Sequence, residues 1–149
     1  MSKQKSSSGT AGALALAREL RLLIGQLMRR LREQTHPGDY TWSQMSIVTR
    51  LERDGPATVS ALARAEGVRQ QSMGATISAL EAAGLVKGSP DPADGRQTIL
   101  SLTDACRQRI KTNRAAKEDW LCRAIQTKLS SGEQKKLTAA LELLKRIAD

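Results

Sequence analysis

The chain of 149 residues is poor in aromatic side chains and in the residues that most metal and catalytic sites use. Phenylalanine is absent, and the aromatic residues are Tyr40, Trp42 and Trp120. Nucleic-acid binding through stacked bases therefore lacks its usual side chains. One histidine and two cysteines form neither a metal-ligand spacing nor a disulfide scaffold. We accordingly expect no cofactor and no metal ion.

Long apolar runs are also missing. No stretch approaches the roughly 20 apolar residues that a membrane-spanning helix needs. Lys3 and Lys5 precede a small apolar stretch at residues 11–17, as in a signal peptide, but Arg18 and Glu19 interrupt it. We expect a cytoplasmic protein with no membrane partner.

Charge is the property that the sequence has in excess. Lys and Arg number 24 against 15 Asp and Glu, which gives a formal net charge of +9. A small basic protein with few aromatic residues most often meets a polyanion. The sequence has no Gly-rich phosphate loop and no nucleophile–base pair, so nothing in it supports an enzyme.

Apolar residues at helical spacing predict a mainly α protein in four segments. These are a flexible tail at 1–12, a first helix at 13–40, a central domain at 41–103 and C-terminal helices at 104–149. The first helix is expected from Leu14 to about Gln34. In the C-terminal segment, Thr103 caps a long helix and Ser130 with Glu133 forms a capping box for the last one.

The third segment begins with a helix for which Ser43 is the expected N-cap. Its inward-facing residues are expected to be Met45, Val48 and Leu51.

A short helix follows, capped by Thr58, and Gly67 fits the tight turn after it. The next helix runs from about Gln70 to Ala83, and Gly84 stops it. Residues 85–88 and 98–102 then form a hairpin around a turn-rich stretch that contains Asp94-Gly95. This order of elements is that of a winged helix-turn-helix, with a small β-hairpin as the wing.

The helix from Gln70 has two different faces at roughly 100° per residue. Met73, Ile77 and Leu80 share one face, which we expect to pack on Leu62 and Val68. The other face carries amides, a hydroxyl and small residues near the N-terminus, as a helix in a major groove should. With Arg69 before the helix, the candidate major-groove residues are Arg69, Gln70, Gln71, Ser72, Gly74, Ala75 and Ser78. An ordinary solvated face is the alternative interpretation.

Several motifs of this segment occur together at the spacing of one known family. They are Leu62-Ala63, Gly67-Val68, residues 80–86, residues 91–96 and Leu102-Thr103. In these motifs the chain resembles the MarR (multiple antibiotic resistance regulator) family of bacterial transcription factors. The resemblance extends more weakly over nearly the whole chain. It implies a winged domain whose N- and C-terminal flanking helices form a dimerisation lobe.

The resemblance also implies residue roles. Gln70, Gln71, Gly74 and Ala75 stand where the family reads major-groove bases. Arg96 stands at the wing position that often enters the minor groove, and Asp94 where the family commonly braces wing arginines. Alanines at 75, 79 and 93 replace frequent arginines, which leaves the wing dependent on Arg96. Candidate phosphate contacts are Arg50, Arg53, Arg64 and Lys87, for each of which a solvated surface charge is the alternative.

The terminal helices carry more apolar surface than the winged domain alone can cover. Their stripes are Leu16, Leu20, Leu23 and Leu27, and Leu137, Leu141, Leu144 and Ile147. Packing within one chain is one explanation, and the resemblance implies that the helices also interlock in a homodimer. We expect a repressor that binds an inverted repeat in double-stranded DNA. The alternative is a non-specific architectural DNA-binding protein.

Many members of the family release DNA when a small molecule binds, often a phenolic one. Candidate pocket residues for such an aromatic effector are His36, Tyr40, Trp42 and Trp120, although the tryptophans suit core or interface positions equally well. Cys106 and Cys122 lie about 24 Å apart along one helix, too far for a bridge within one chain. Each is expected to be an inert packed thiol, with a bridge between subunits as the alternative.

Overall fold

The computed structural model describes residues 3–35 and 40–149, in which helices dominate and three short strands form one sheet. The elements are α1 (Lys3–Glu33), α2 (Trp42–Asp54), β1 (Ala57–Thr58), α3 (Val59–Glu66), α4 (Gln70–Ala82), β2 (Val86–Pro90), β3 (Thr98–Leu102), α5 (Asp104–Lys128) and α6 (Ser131–Ala148). The predicted mainly α fold with a hairpin wing is confirmed. None of the helices in the described ranges is long and apolar enough to cross a membrane.

The described residues fall into two compact units. Residues 40–114 form one, here called the winged unit, and residues 3–35 with 115–149 form the other, here called the helical unit. All fully buried side chains among the described residues belong to the winged unit. They are Ile47, Val48, Leu51, Leu62, Ala63, Met73, Ile77, Leu80, Leu85, Val86, Leu100, Leu102 and Cys106.

Two residues predicted to face the core are exposed instead. Met45 is 37% exposed, because it lies roughly 110° from the centre of the buried face of α2, where Ile47 takes its place. Val68 is 44% exposed, because it lies in the turn between α3 and α4 and so belongs to the apolar face of neither helix. The predicted inward face of α4, with Met73 and Ile77, is confirmed.

Side-chain caps mark the starts of α2, α3 and α6. Thr41, not Ser43, caps α2, because its hydroxyl accepts from the Gln44 N–H while the Gln44 side chain accepts from the Thr41 N–H. The predicted cap at Thr58 and the capping box that begins α6 at Ser130 are confirmed.

The first helix begins much earlier than predicted. It starts at Lys3, and residues 3–12, predicted to be a flexible tail, are helical. This stretch contains no proline, and Gly9 and Gly12 each cost a helix only about 1 kcal/mol relative to alanine. The leucine stripe therefore marks the amphipathic part of α1 and not its start.

The sheet is antiparallel with the order β1-β3-β2. The hairpin of β2 and β3 was predicted, but β1 was not, because two residues are too short for a periodic pattern. The predicted tight turn at Gly67 is confirmed, since its backbone is left-handed with φ 68° and ψ 28°.

Gly88 is the point at which the wing lies against α4. It pairs with Leu100 in the hairpin. A Cβ atom at this position would lie 2.7 Å from Thr98 Cγ2 and 3.3 Å from Glu81 Oε1. The first distance requires a neighbour to move, so the absence of a side chain here leaves room for Thr98 on the paired strand β3 and for the Glu81 side chain of α4.

Gly88→Ala is expected to lower the free energy of unfolding by about 1–3 kcal/mol, because the added methyl displaces Thr98 on the paired strand and crowds the Glu81 side chain of α4. Urea denaturation measures the change. Gly95→Ala is the matched control, since a Cβ there meets nothing within 4 Å, and its effect should stay within about 0.5 kcal/mol. Equal stability of the two variants would contradict this account of Gly88.

Candidate nucleic-acid interface

The outer face of α4 is the largest part of the candidate interface. Met73, Ile77 and Leu80 bury the opposite face, so residues near 180° from them are turned to solvent. Of the candidate major-groove residues, Gly74 is half-buried and the others are exposed, namely Arg69, Gln70, Gln71, Ser72, Ala75 and Ser78. No large apolar side chain lies among them, so this helix face could enter a polar groove of a binding partner closely.

The first turn of α4 is uncapped. Arg69 occupies the N-cap position, and its side chain makes no capping hydrogen bond. The Arg69 carbonyl accepts from the Met73 N–H at 3.0 Å, which leaves the N–H groups of residues 70–72 without a helical acceptor. Such a helix start suits a negatively charged partner.

The two glutamines at this helix start differ in their surroundings. Gln70 Nε2 donates to Ser60 Oγ on α3 over 2.7 Å. Gln71 makes no side-chain hydrogen bond with any residue of the described ranges and is exposed. One amide is therefore tied to the neighbouring helix, and the other extends into solvent.

The wing tip is closed by two aspartates. Asp91 Oδ1 accepts from the Ala93 N–H at 2.9 Å, and Asp94 Oδ1 accepts from the Arg96 N–H at 3.1 Å. The Asp91 N–H also donates to the Gln97 carbonyl across the base of the loop. Asp94 thus holds the backbone of Arg96 rather than its guanidinium, which makes no ion pair within the described part of the chain and is exposed.

An acidic residue at the end of α3 joins α2 to the helix-turn-helix. Glu66 accepts hydrogen bonds from the Ser46 hydroxyl at 2.8 Å and from Arg50 Nε at 2.9 Å. These two bonds, that from Ser46 first, lower the pKa of Glu66 from its ordinary value. Arg50, predicted as a phosphate contact, therefore has a structural partner within the winged unit.

The other candidate phosphate contacts differ in whether they already have an ion-pair partner. Arg53 pairs with Asp54 at 2.9 Å, and this hydrogen bond lowers the pKa of Asp54. Arg64 and Lys87 are exposed and have no ion-pair partner among the described residues. Phosphate contact by any of the four stays a prediction, with Arg64 and Lys87 the better placed because no partner has to be displaced.

The predicted effector pocket stays untested. Tyr40 packs against the core, and its hydroxyl accepts from Arg109 at 2.9 Å. Trp42 is 87% exposed on a groove of about 190 Å³ beside α2, which Tyr40 does not line. Trp120 belongs to the helical unit, and His36 lies outside the described residues.

The two cysteines have different environments. Cys106 is buried, and burial raises the pKa of its thiol, as predicted for an inert packed group. Cys122 is exposed, so the expectation that it is packed is wrong within the single chain.

The helical unit presents the other notable surface. Seven large apolar side chains of α1 are exposed, namely Leu14, Leu16, Leu22, Leu23, Ile24, Leu27 and Met28. Four more are exposed on α6, namely Leu141, Leu143, Leu144 and Ile147. A monomeric soluble protein seldom leaves so much apolar surface in contact with water.

Sequence reasoning missed three residues that shape the interface. Ser60 and Glu66 act through contacts across 10 and 16–20 positions, which no local pattern reveals. Gly88 could have been found, because a glycine inside a strand often marks a close backbone approach.

The order of these elements defines a winged helix-turn-helix protein. It is a short helix, a left-handed turn, a second helix with one polar face and a hairpin with an arginine at its tip. Residues 40–98 match the family model described as MarR family. HTH-type transcriptional regulators of Mycobacterium bovis and Mycobacterium tuberculosis are each 34% identical over 134 residues, which cover 90% of this chain and 93% of theirs. The chain therefore belongs to the MarR family of DNA-binding transcriptional regulators.

Solved structures agree with this assignment. The crystal structure of a transcriptional regulator from Pseudomonas aeruginosa is 35% identical, covers 93% of this chain and 96% of that one, and has a TM-score of 0.77. A mutant of Staphylococcus aureus MepR, bound to an oligodeoxyribonucleotide, has a TM-score of 0.68 at 18% identity over 90% of this chain and 98% of that one. The second likeness concerns the fold alone.

Glu66→Gln is expected to lower the free energy of unfolding at neutral pH by about 1.5–3 kcal/mol, because hydrogen bonds to a charged group are lost. The lowered pKa of Glu66 stabilises the folded chain above the ordinary value of about 4.5, and that contribution disappears as the pH falls through the folded-state pKa. The gap between parent and variant should therefore narrow below about pH 4.5.

Urea denaturation at several pH values measures the gap. Glu142→Gln on α6 is the control, because its carboxylate is exposed and pairs only with Lys145. A gap between Glu66→Gln and the parent that is constant with pH would contradict the role of the carboxylate.

Proposed function

We propose that this protein is a sequence-specific repressor that binds DNA as a homodimer at an inverted repeat. The observation that carries the proposal is the pairing, within one compact unit, of the exposed amide-bearing face of α4 with an arginine at the wing tip. Glutamine amides can read a base edge in the major groove, and a guanidinium suits the strong negative potential of a narrow minor groove. A dimer bound over an operator would exclude other proteins from that DNA.

The chemistry of α4 favours specific over architectural binding. A sequence-blind binder needs cations for phosphates, and the outer face of α4 carries no lysine or arginine beyond its N-cap at Arg69. Gln70 and Gln71 expose amides where such a binder would carry cations. An amide discriminates between bases by their pattern of donors and acceptors. The MepR mutant, which has a similar fold, is bound to an oligodeoxyribonucleotide, and this agrees with DNA as the proposed ligand here.

The exposed leucines of the helical unit support the proposed homodimer. Described side chains on α1 and α6 are not buried within one chain. Burying one leucine-sized side chain stabilises an assembly by about 1.5–3 kcal/mol, so a second copy that covers these stripes gains substantially. Two-fold symmetry would then present two α4 helices to successive major grooves, about one helical turn apart.

We also propose that an aromatic effector modulates DNA binding. The exposed Trp42 beside the α2 groove gives such a molecule a ring to stack on. A screen of phenolic compounds by tryptophan fluorescence and DNA affinity tests this. Compounds that leave both unchanged would count against an effector at Trp42.

Selection of bound fragments from random DNA by the purified protein tests the main proposal. A specific dimer enriches an inverted repeat, and its binding survives competitor DNA. An architectural protein enriches nothing and shows a salt-dependent isotherm that is the same for every sequence. A single asymmetric half-site bound by a monomer would refute the dimeric arrangement.

Arg96→Ala is expected to weaken binding to the selected operator by about 1–3 kcal/mol, the scale of one lost groove contact. Fluorescence anisotropy at fixed salt measures the loss. Arg123→Ala is the control, because it removes the same charge from an exposed i,i+4 pair on α5. If both variants lose affinity equally, Arg96 contributes general charge and not a groove contact.

Gln71→Ala is expected to relax the base preference at one position of each half-site, since an unpaired exposed amide is lost. Competition between operators with each base at that position measures the preference. Gln108→Ala, which removes an exposed amide from α5, should leave every preference unchanged. Unchanged discrimination in Gln71→Ala would remove this residue from the reading surface.

Leu27→Glu is expected to raise the dimer dissociation constant by at least tenfold, because a carboxylate would be buried in the apolar contact. Sedimentation equilibrium measures the association. Gln26→Glu, which adds the same charge on a different face of α1, should remain dimeric. A Leu27→Glu variant that associates like the parent would show that the stripe on α1 lies outside the interface.

A further inference from the structure

One hydrogen bond ties the start of the reading helix to the helix before it. Gln70, the first residue of α4, donates from Nε2 to the hydroxyl of Ser60 in the first turn of α3, over 2.7 Å. Ser60 is half-buried, and Gln70 is exposed. The Gln70 amide is therefore anchored at its nitrogen by a neighbouring element, while its carbonyl oxygen is left to solvent.

Helix capping does not account for this contact. Gln44 in α2 and Glu133 in α6 show what a first-turn side chain does when it caps, since each accepts from the N-cap N–H of its own helix. The Gln70 side chain instead bonds across to α3, and α4 has no side-chain cap. Gln44 and Glu133 are the third residues of their helices and Gln70 is the first of α4, so its bond to Ser60 is a contact between two helices and not part of a cap.

The bond leaves a defined pattern of hydrogen-bonding groups. A glutamine amide has two N–H donors and one carbonyl acceptor. Ser60 occupies one donor of Gln70, so one N–H and Oε1 remain without a partner among the described residues. Adenine presents the matching pair in the major groove, with N7 as acceptor and N6 as donor.

We propose that Ser60 is a positioning residue for DNA recognition, which holds the Gln70 side chain in the place from which its amide can read adenine. The inference rests on the proposed function as a sequence-specific DNA binder. Without the serine hydroxyl the Gln70 side chain has no partner on α3 and can take other rotamers, so its amide no longer stays in one place at the start of α4. Gln71, which has no such anchor among the described residues, keeps its preference independently of Ser60.

The test compares five proteins on operators that carry each of the four bases at every half-site position. They are the parent, Ser60→Ala, Ser60→Thr and Gln70→Ala, with the double variant Ser60→Ala/Gln70→Ala as the coupling control. In Ser60→Ala, discrimination for adenine at one position should fall about three- to tenfold, the scale of one hydrogen bond. Ser60→Thr keeps the hydroxyl and should keep the preference.

The double variant separates a positioning role of Ser60 from its other possible roles. In the Gln70→Ala background, Ser60→Ala should change neither affinity nor preference, because no amide remains to orient. A uniform loss of affinity for all operators in Ser60→Ala would instead mark a phosphate contact and overturn the inference. So would unchanged discrimination in Ser60→Ala, or a Ser60→Ala effect that persists without Gln70.

The parent protein shows whether the proposed function fails or only the role of Ser60. A parent that prefers no sequence refutes the proposed function, and the role of Ser60 with it. A parent with a clear operator and a Ser60→Ala variant that discriminates equally well refutes the role of Ser60 alone. Circular dichroism of Ser60→Ala shows whether α3 is intact, and alanine at this helical position carries no propensity cost.

Discussion

The burial of one face of α4 is the constraint on which the candidate interface depends. Met73, Ile77 and Leu80 fix the rotation of this helix about its axis, because all three are enclosed by the core of the winged unit. With that rotation fixed, Gln71, Ala75 and the small residues beside them on the opposite face have nowhere to point but outward. A substitution that turned α4 by one residue, about 100°, would bring core side chains to the surface and remove the reading face.

The wing and the helical unit add to this arrangement in different ways. Asp91 and Asp94 hold the hairpin tip through backbone N–H groups, so the Arg96 side chain extends from a fixed loop. Gly88 lets the same hairpin lie against α4. The helical unit has no buried side chain among its described residues, and its apolar stripes are exposed. Its stability is therefore expected to depend on association, whereas the winged unit has its own core.

Much of the fold could be predicted because the signals are local. Turn glycines, caps such as Thr58 and the apolar spacing of α4 each depend on neighbours within four residues. The errors have equally physical causes. Leucine spacing locates the amphipathic part of α1 but not its first residue, and Ser43, the predicted cap of α2, lies two residues after the true cap at Thr41. The contacts of Ser60 and Glu66 join separate helices, and only the three-dimensional arrangement reveals them.

Hydrogen exchange of the backbone amides, with and without double-stranded DNA, tests the central claim most directly. In the free protein the N–H groups of residues 70–72 have no helical acceptor and should exchange fast. The account predicts that DNA slows exchange at this first turn of α4 and at the wing tip, residues 92–96, in the same complex. Protection confined to the helical unit, with both regions unchanged, would contradict it.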